Sequence, residues 1–186
     1  MLLARAASRG DTAAMRDLLR EIAPRIERVV RAVMGRAHPD VEDVVQQSML
    51  GFVQALPSFR GDCEPVHFAS RVAARAAIAA ARRGRATCAR HDDGVDVDLL
   101  LSSAPEPLAD TERGRRMAML RDALARIPAE QAETLALRIV LGWSLGEVAE
   151  VTGVPLNTVR SRLRLAKTAL RASIDGDPAA SEELGD

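Results

Sequence analysis

The sequence predicts an all-α protein made of two small helical domains joined by an acidic linker. Three observations predict it. Hydrophobic residues make up 47% of the 186 but aromatic residues only 2%, so a core must be built from Ala, Leu and Val, which suits packed helices better than sheets. Apolar residues return at helical spacing in one segment after another, with no sustained period-2 alternation. The charges cancel over the whole chain but are sorted along it. Residues 1–90 carry +6 and residues 113–174 again +6, whereas 91–112 carry −7 and 175–186 carry −5. Two basic blocks, an acidic connection and an acidic tail can therefore present basic surfaces on a neutral molecule.

The first block reads as three helices. Asp11 or Thr12 caps the first, which carries Leu18, Leu19, Ile22, Ile26, Val29, Val30 and Val33 at helical spacing and fades between Gly35 and Pro39. Asp40 caps the second, with Val44, Val45, Met49, Phe52, Val53 and Leu56 on one face and a stop at Pro57. After the loop "PSFRGDCEP", an alanine-rich third helix runs from about Val66 to Arg83, with Arg71, Arg75 and Arg82 along one face. The stretch "HDDGVDVDLLLSSAPEPLADTE" is the linker, and Val95, Val97 and Leu99 to Leu101 within it suit a short extended segment.

The second block opens with a helix from about Thr111 to Arg126, continues after Pro128 with a helix through Leu141, and closes with two short-spaced helices. Ser144 and Glu147 have the S-x-x-E form of a capping box at the start of a helix that ends at Thr152. Gly153 suits the positive φ of a sharp corner, and Pro155 suits the first turn of the next helix. There Val159, Leu163, Ala166 and Leu170 form a buried stripe, and Arg160, Arg164, Lys167 and Arg171 form a cationic stripe beside it. Two helices across a glycine corner, the second basic, make a helix-turn-helix whose second helix can lie in a major groove. Small Ala149 lets the two backbones approach closely. The tail "DGDPAASEELGD" is expected to be disordered.

Other classes find little support. "MLLARAASRG" is too short and too interrupted by Arg5 for a signal-peptide core, and the longest apolar run, "AAIAAA" at 76–81, cannot cross a bilayer. The expectation is a soluble, cytoplasmic protein without membrane insertion. Two cysteines without a CxxC pair fit a reducing compartment. Cys63, His67, Cys88 and His91 are ligand types that zinc accepts, but the two pairs flank a long helix, so no metal site is expected. No Ser/His/Asp set, paired-carboxylate site, P-loop or dinucleotide fingerprint is present, which points away from an enzyme and from a cofactor.

Two long stretches carry a family likeness. "IPAEQAETLALRIVLGWSLGEVAEVTGVPLNTVRSRLRLAKTALR" resembles region 4 of sigma-70 family sigma factors, and "HPDVEDVVQQSMLGFVQALPSFRG" resembles their region 2. With no middle domain between them, the chain is similar to the compact extracytoplasmic-function (ECF, group 4) class over about residues 11–173. The resemblance implies a bacterial sigma factor that binds core RNA polymerase and directs promoter-specific initiation. It implies region 2 over residues 1–90, a linker over 91–112, region 4 over 113–174 and a tail over 175–186.

The residue roles follow from the same likeness. Asp40, Glu42, Asp43, Val44 and Gln46 fall where the family binds the clamp helices of the polymerase beta-prime subunit. Thr158, Arg160, Ser161, Arg162, Arg164 and Lys167 fall where it reads the upstream (minus-thirty-five) promoter element. Phe59, Arg60, Phe68, Arg71, Arg75 and Arg82 are the candidates for the downstream (minus-ten) element. In that region common aromatic positions are Phe68 and Ser70, and a usual arginine-asparagine pair is Ala74 and Arg75, so few rings are available to hold an unstacked base. An anti-sigma factor is an expected partner. Two other functions stay open: a helix-turn-helix regulator with a degenerate region 2, and an interaction protein for polymerase or an anti-sigma factor that does not initiate.

Overall fold

The computed structural model describes residues 1–90 and 112–175. Of the predicted acidic linker and tail, residues 91–111 and 176–186 lie outside the described residues, as does the extended segment from Val95 to Leu101. Eight α-helices make up the described chain, with no strand among them: α1 (Leu2–Ser8), α2 (Thr12–Met34), α3 (Val41–Ala55), α4 (Pro65–Arg90), α5 (Glu112–Arg126), α6 (Ala129–Leu135), α7 (Leu145–Thr152) and α8 (Leu156–Asp175). The first four build one helical domain and the last four the other.

In the first domain α2 is the central helix. The Asp11 carboxylate caps it by accepting from the N–H groups of Ala13 and Ala14 at 2.9 and 3.0 Å, and Gly35 ends it at φ 98°. Leu18, Ile22, Ile26, Val29, Val30 and Val33 are all buried, as their spacing requires. α1 is an addition to the three expected helices. Its seven residues bury only Ala4 and Ala7, too short an apolar signal to stand out from the sequence.

Two other elements differ from expectation. Asp40 occupies the capping position of α3 but makes no side-chain cap; its N–H donates to His38 Nδ1 at 3.2 Å instead. α4 continues past Arg83 to Arg90, because one interior glycine, Gly84, costs only about 1 kcal/mol against the strong helix formers around it. Cys63 precedes α4 and Cys88 lies in its last turn, about 35 Å away along the axis at 1.5 Å per residue; His91 lies outside the described residues.

In the second domain the expected continuous helix after Pro128 breaks into α6 and a π-turn, Ala136–Val140. The Leu141 N–H donates to the Ala136 carbonyl at 3.0 Å, five residues back, and the Trp143 N–H to the Leu137 carbonyl at 3.2 Å. The wider turn carries Trp143 inward, where it is buried. α4 also packs against α5, α6 and α7, and one continuous apolar cluster joins Ala73, Ala77 and Ile78 with Leu124, Leu135 and Trp143. The two domains therefore share buried surface along α4.

Candidate nucleic-acid interface

The helix-turn-helix forms as its local chemistry directs. The Ser144 hydroxyl accepts from the Glu147 N–H at 3.2 Å, and the Glu147 carboxylate accepts from the Ser144 N–H at 2.7 Å, a complete capping box. The Ser144 side chain first, and then the Ser144 backbone N–H, hold the Glu147 carboxyl below its usual value. α7 ends where Gly153 adopts the left-handed conformation at φ 68° and donates to the Ala149 carbonyl at 2.9 Å. The Thr158 N–H then donates to the Pro155 carbonyl at 2.8 Å, which starts α8.

On α8 the two stripes separate. Val159, Leu163 and Ala166 are buried and Leu170 is half-buried, whereas Arg160, Ser161, Arg164, Lys167 and Arg171 stand exposed. Arg160 donates to the Asn157 side-chain oxygen at 3.1 Å, a local contact that leaves the guanidinium in solvent. Thr158 is half-buried beside them. Arg162 departs from the group. Its side chain is 19% exposed and pairs with Glu130 of α6, so it ties the recognition helix to its own domain. It lies three residues after Val159 and four before Ala166, both buried, on the flank of the apolar stripe.

The arginines of α4 also divide. Arg75 is exposed and Arg82 half-buried. Arg71 is engaged: Nε donates to Glu133 Oε1 at 2.6 Å and Nη1 to the Val151 carbonyl at 2.9 Å. This basic face of α4 and the opposing surface of α6 to α8 enclose a cleft of about 400 Å³, lined by Arg71, Arg75, Arg82, Glu130, Glu133 and Arg162 among others.

The aromatic candidates are already in use. Phe68 packs on Phe59 with ring centroids 5.1 Å apart and on Phe52 at 6.0 Å, so Phe59 and Phe68 are half-buried parts of a ring cluster rather than open stacking platforms. Arg60 is exposed beside them. Ser70, at the common aromatic position that lacks a ring, and Ala74, where an arginine is usual, are buried. Ser70 donates to the Val66 carbonyl at 2.7 Å and accepts from Arg25 Nε at 3.0 Å. Burial, and then the neighbouring Arg28, push the Arg25 guanidinium below its ordinary value. A ring at Ser70 or an arginine at Ala74 would face the protein's interior, so their small size takes nothing from the outer face.

On α3, Asp40, Glu42, Asp43 and Gln46 are exposed and lie together at the start of the helix. Val44 is corrected: at 2% exposure it belongs to the core and has no surface to offer. Leu50, two turns from Asp43 on the outer side, is 63% exposed. Sequence reasoning missed it, because a leucine among apolar neighbours reads as core. Glu133 and Trp143 were equally invisible as an interdomain pair of contacts. A glutamate flanked by Ala132, Thr134 and Leu135, all buried, is the signal that finds it, since a charge at a core position needs a partner.

A helical bundle beside a helix-turn-helix with an exposed cationic stripe defines a two-domain DNA-binding protein. Comparison with known proteins gives its family. Residues 18–87 match sigma-70 region 2 and residues 117–170 match sigma-70 region 4. The chain is 31% identical over 170 residues to the ECF RNA polymerase sigma factor SigD of Mycobacterium tuberculosis, covering 89% of this chain and 79% of that one. It is 30% identical over 156 residues to the ECF RNA polymerase sigma-E factor of Salmonella typhimurium, covering 78% and 81%. Among solved structures it resembles CnrH in complex with the cytosolic domain of CnrY, with a TM-score of 0.52, 21% identity, and 95% and 97% of the two chains covered. It also resembles the sigma factor RpoE in complex with the anti-sigma factor NepR from Bartonella quintana, with a TM-score of 0.50, 19% identity, and 87% and 97% covered. The chain belongs to the ECF sigma factors of the sigma-70 family, which direct RNA polymerase to promoters. Sigma factors are in general not enzymes. No helix among the described residues is long and apolar enough to cross a membrane.

Proposed function

We propose that this sigma factor reads the upstream promoter element with α8 and seats on core polymerase with the exposed start of α3. The observation that carries the reading is the sorting of α8, with Arg160, Arg164 and Lys167 outside and Val159, Leu163 and Ala166 inside. Arg160 and Ser161, near the N-terminal end of the helix, are the base-edge contacts, where a bidentate arginine on guanine contributes about 1–3 kcal/mol of discrimination. Arg164 and Lys167 lie on phosphates and supply salt-dependent affinity. Thr158 supports them, and Arg162 acts as a positioning residue through Glu130.

Asp40, Glu42, Asp43 and Gln46 are the contacts to the beta-prime clamp helices, with Leu50 as an apolar contact on the same side. Arg60, Arg75 and Arg82 carry the downstream element through its phosphates, joined by Arg71 when that residue is released from Glu133. The domain bounds that suit these roles are residues 1–90 and 113–174, with the acidic linker 91–112 between them and the tail 175–186 after. Bond-making belongs to the polymerase, the chain works in the cytoplasm, and an anti-sigma factor is its expected regulator. Run-off transcription by core polymerase and this chain from a library of promoter sequences tests the whole reading. Initiation from templates sharing an upstream motif is expected; polymerase binding without initiation from any template would defeat it.

A further inference from the structure

The four arginines that line the cleft of about 400 Å³ are not alike. Arg71 is matched by Glu133 at 2.6 Å, and Arg162 of α8 is matched by Glu130. Arg75 and Arg82 have no carboxylate partner among the described residues. Four arginines against two glutamates therefore leave the cleft with a surplus of +2. Arg75 and Arg82 stand seven residues apart on α4, two turns along one face, or about 10 Å at 1.5 Å per residue. Between them the same face carries Ala79, whose small side chain does not fill the gap. Arg82 Nε is buried and donates to no acceptor among the described residues. A buried guanidinium N–H without an acceptor is costly, and folded chains meet that cost with a partner. Ile78 and Val154 add apolar wall beside the charges.

From this geometry we propose that the cleft is a binding site for a small, doubly charged phosphate compound, held by Arg75 and Arg82. A guanidinium offers a planar fork of donors that suits the oxygens of a phosphate group, and two of them match the surplus charge. Arg71 and Arg162 stay on their glutamates and form the fixed sides. The volume lies within the range of about 300–1,000 Å³ usual for small-ligand sites, which join apolar walls to a few convergent polar groups. A phosphate monoester or a diphosphate of low molecular weight fits it; a nucleic-acid strand of several nucleotides does not. Because the walls come from α4 on one side and from α6 to α8 on the other, a ligand that fills the cleft stabilises the folded chain in proportion to its occupancy. The site requires neither DNA nor polymerase, so it stands or falls apart from the promoter reading.

Calorimetric titration of the full chain with pyrophosphate, at constant ionic strength, measures it. A single saturable site is expected, with a Kd below about 1 mM. Arg82→Gln and Arg75→Gln should each weaken binding about tenfold. Arg20→Gln removes the same charge from an exposed position of α2 paired with Asp17, and should leave the Kd within about twofold of the parent's. Pyrophosphate should also raise the unfolding midpoint of the parent chain by more than that of Arg75→Gln. Arg75 is exposed, so its variant carries the test should Arg82→Gln lose helical circular dichroism. No saturable binding, several equivalent sites, an affinity untouched by Arg75→Gln, or an equal loss from Arg20→Gln overturns the assignment.

Discussion

Ser144 and Glu147 exchange hydrogen bonds across the first turn of α7, at 3.2 and 2.7 Å. The pair satisfies two backbone N–H groups that the helix itself leaves open. Because it fixes where α7 begins, it also fixes how α7 meets the Gly153 corner and hence the direction of α8. Replacing Ser144 by Ala should lower the stability of the second domain by about 1 kcal/mol, read as a fall in the urea midpoint.

The same pair gives a pH dependence. Its folded-state carboxyl titrates below the unfolded value, so the stabilisation is present at neutral pH and is lost as pH falls through the folded value. In Glu147→Gln the acid limb of the stability profile should flatten. An unchanged limb would mean that the carboxylate contributes nothing to the cap.

Arg160 and Arg162 are two residues apart and have different surroundings. Arg160 is exposed, whereas Arg162 is held by Glu130. Arg160→Ala should cost about 1–3 kcal/mol on a selected upstream element and little on unrelated DNA. Arg162→Ala should reduce binding to both alike, through a looser α8, and should lower the unfolding midpoint as well. Titrations on the two DNAs at one salt concentration distinguish these patterns. Equal losses on both DNAs from Arg160→Ala would remove it from base readout.

Lys167 and Arg164 are expected on phosphates, and a phosphate contact announces itself through salt. Each loss should reduce the magnitude of the log–log salt slope by about 0.9 per contact removed. Binding isotherms of Lys167→Ala and Arg164→Ala between low and moderate salt test this directly. A slope identical to that of the parent chain places the residue off the backbone.

Much of this arrangement was legible in the sequence because it rests on local rules. The apolar spacing of α2, the Ser144 box, the Gly153 corner and the two stripes of α8 are each determined by neighbours within a turn or two. What escaped depends on residues distant in sequence. Arg71 reads as a solvent-facing cation until Glu133, sixty-two positions away, takes it up. Arg162 reads as one more arginine of a basic helix until Glu130 draws it inward. Val44 did not escape in this way, since the helical period that groups it with Phe52 already turns it to the core; only the role carried over from the family likeness set it among the exposed acids. The π-turn at Ala136–Val140 has no compositional mark, since its cause is the burial of Trp143 beyond it.

Asp43 and Val44 adjoin in sequence but lie on different faces of α3, which allows the α3 assignment to be tested against its own fold. Asp43 is exposed and makes no packing contribution to the core, while Val44 is buried. Asp43→Lys should weaken binding to core polymerase at least tenfold, about 1.4 kcal/mol, with an unfolding midpoint close to the parent's. Val44→Ala should do the reverse. It removes two buried methyl groups and so should cost roughly 2 kcal/mol of stability, while the folded fraction retains its affinity for polymerase. Leu50→Ala, on the exposed side, should behave like Asp43→Lys and not like Val44→Ala. If Val44→Ala at full folding lost polymerase affinity as steeply as Asp43→Lys, the partner would have to engage the helix by a face that this fold keeps inside, and the exposed start of α3 would no longer be the seat.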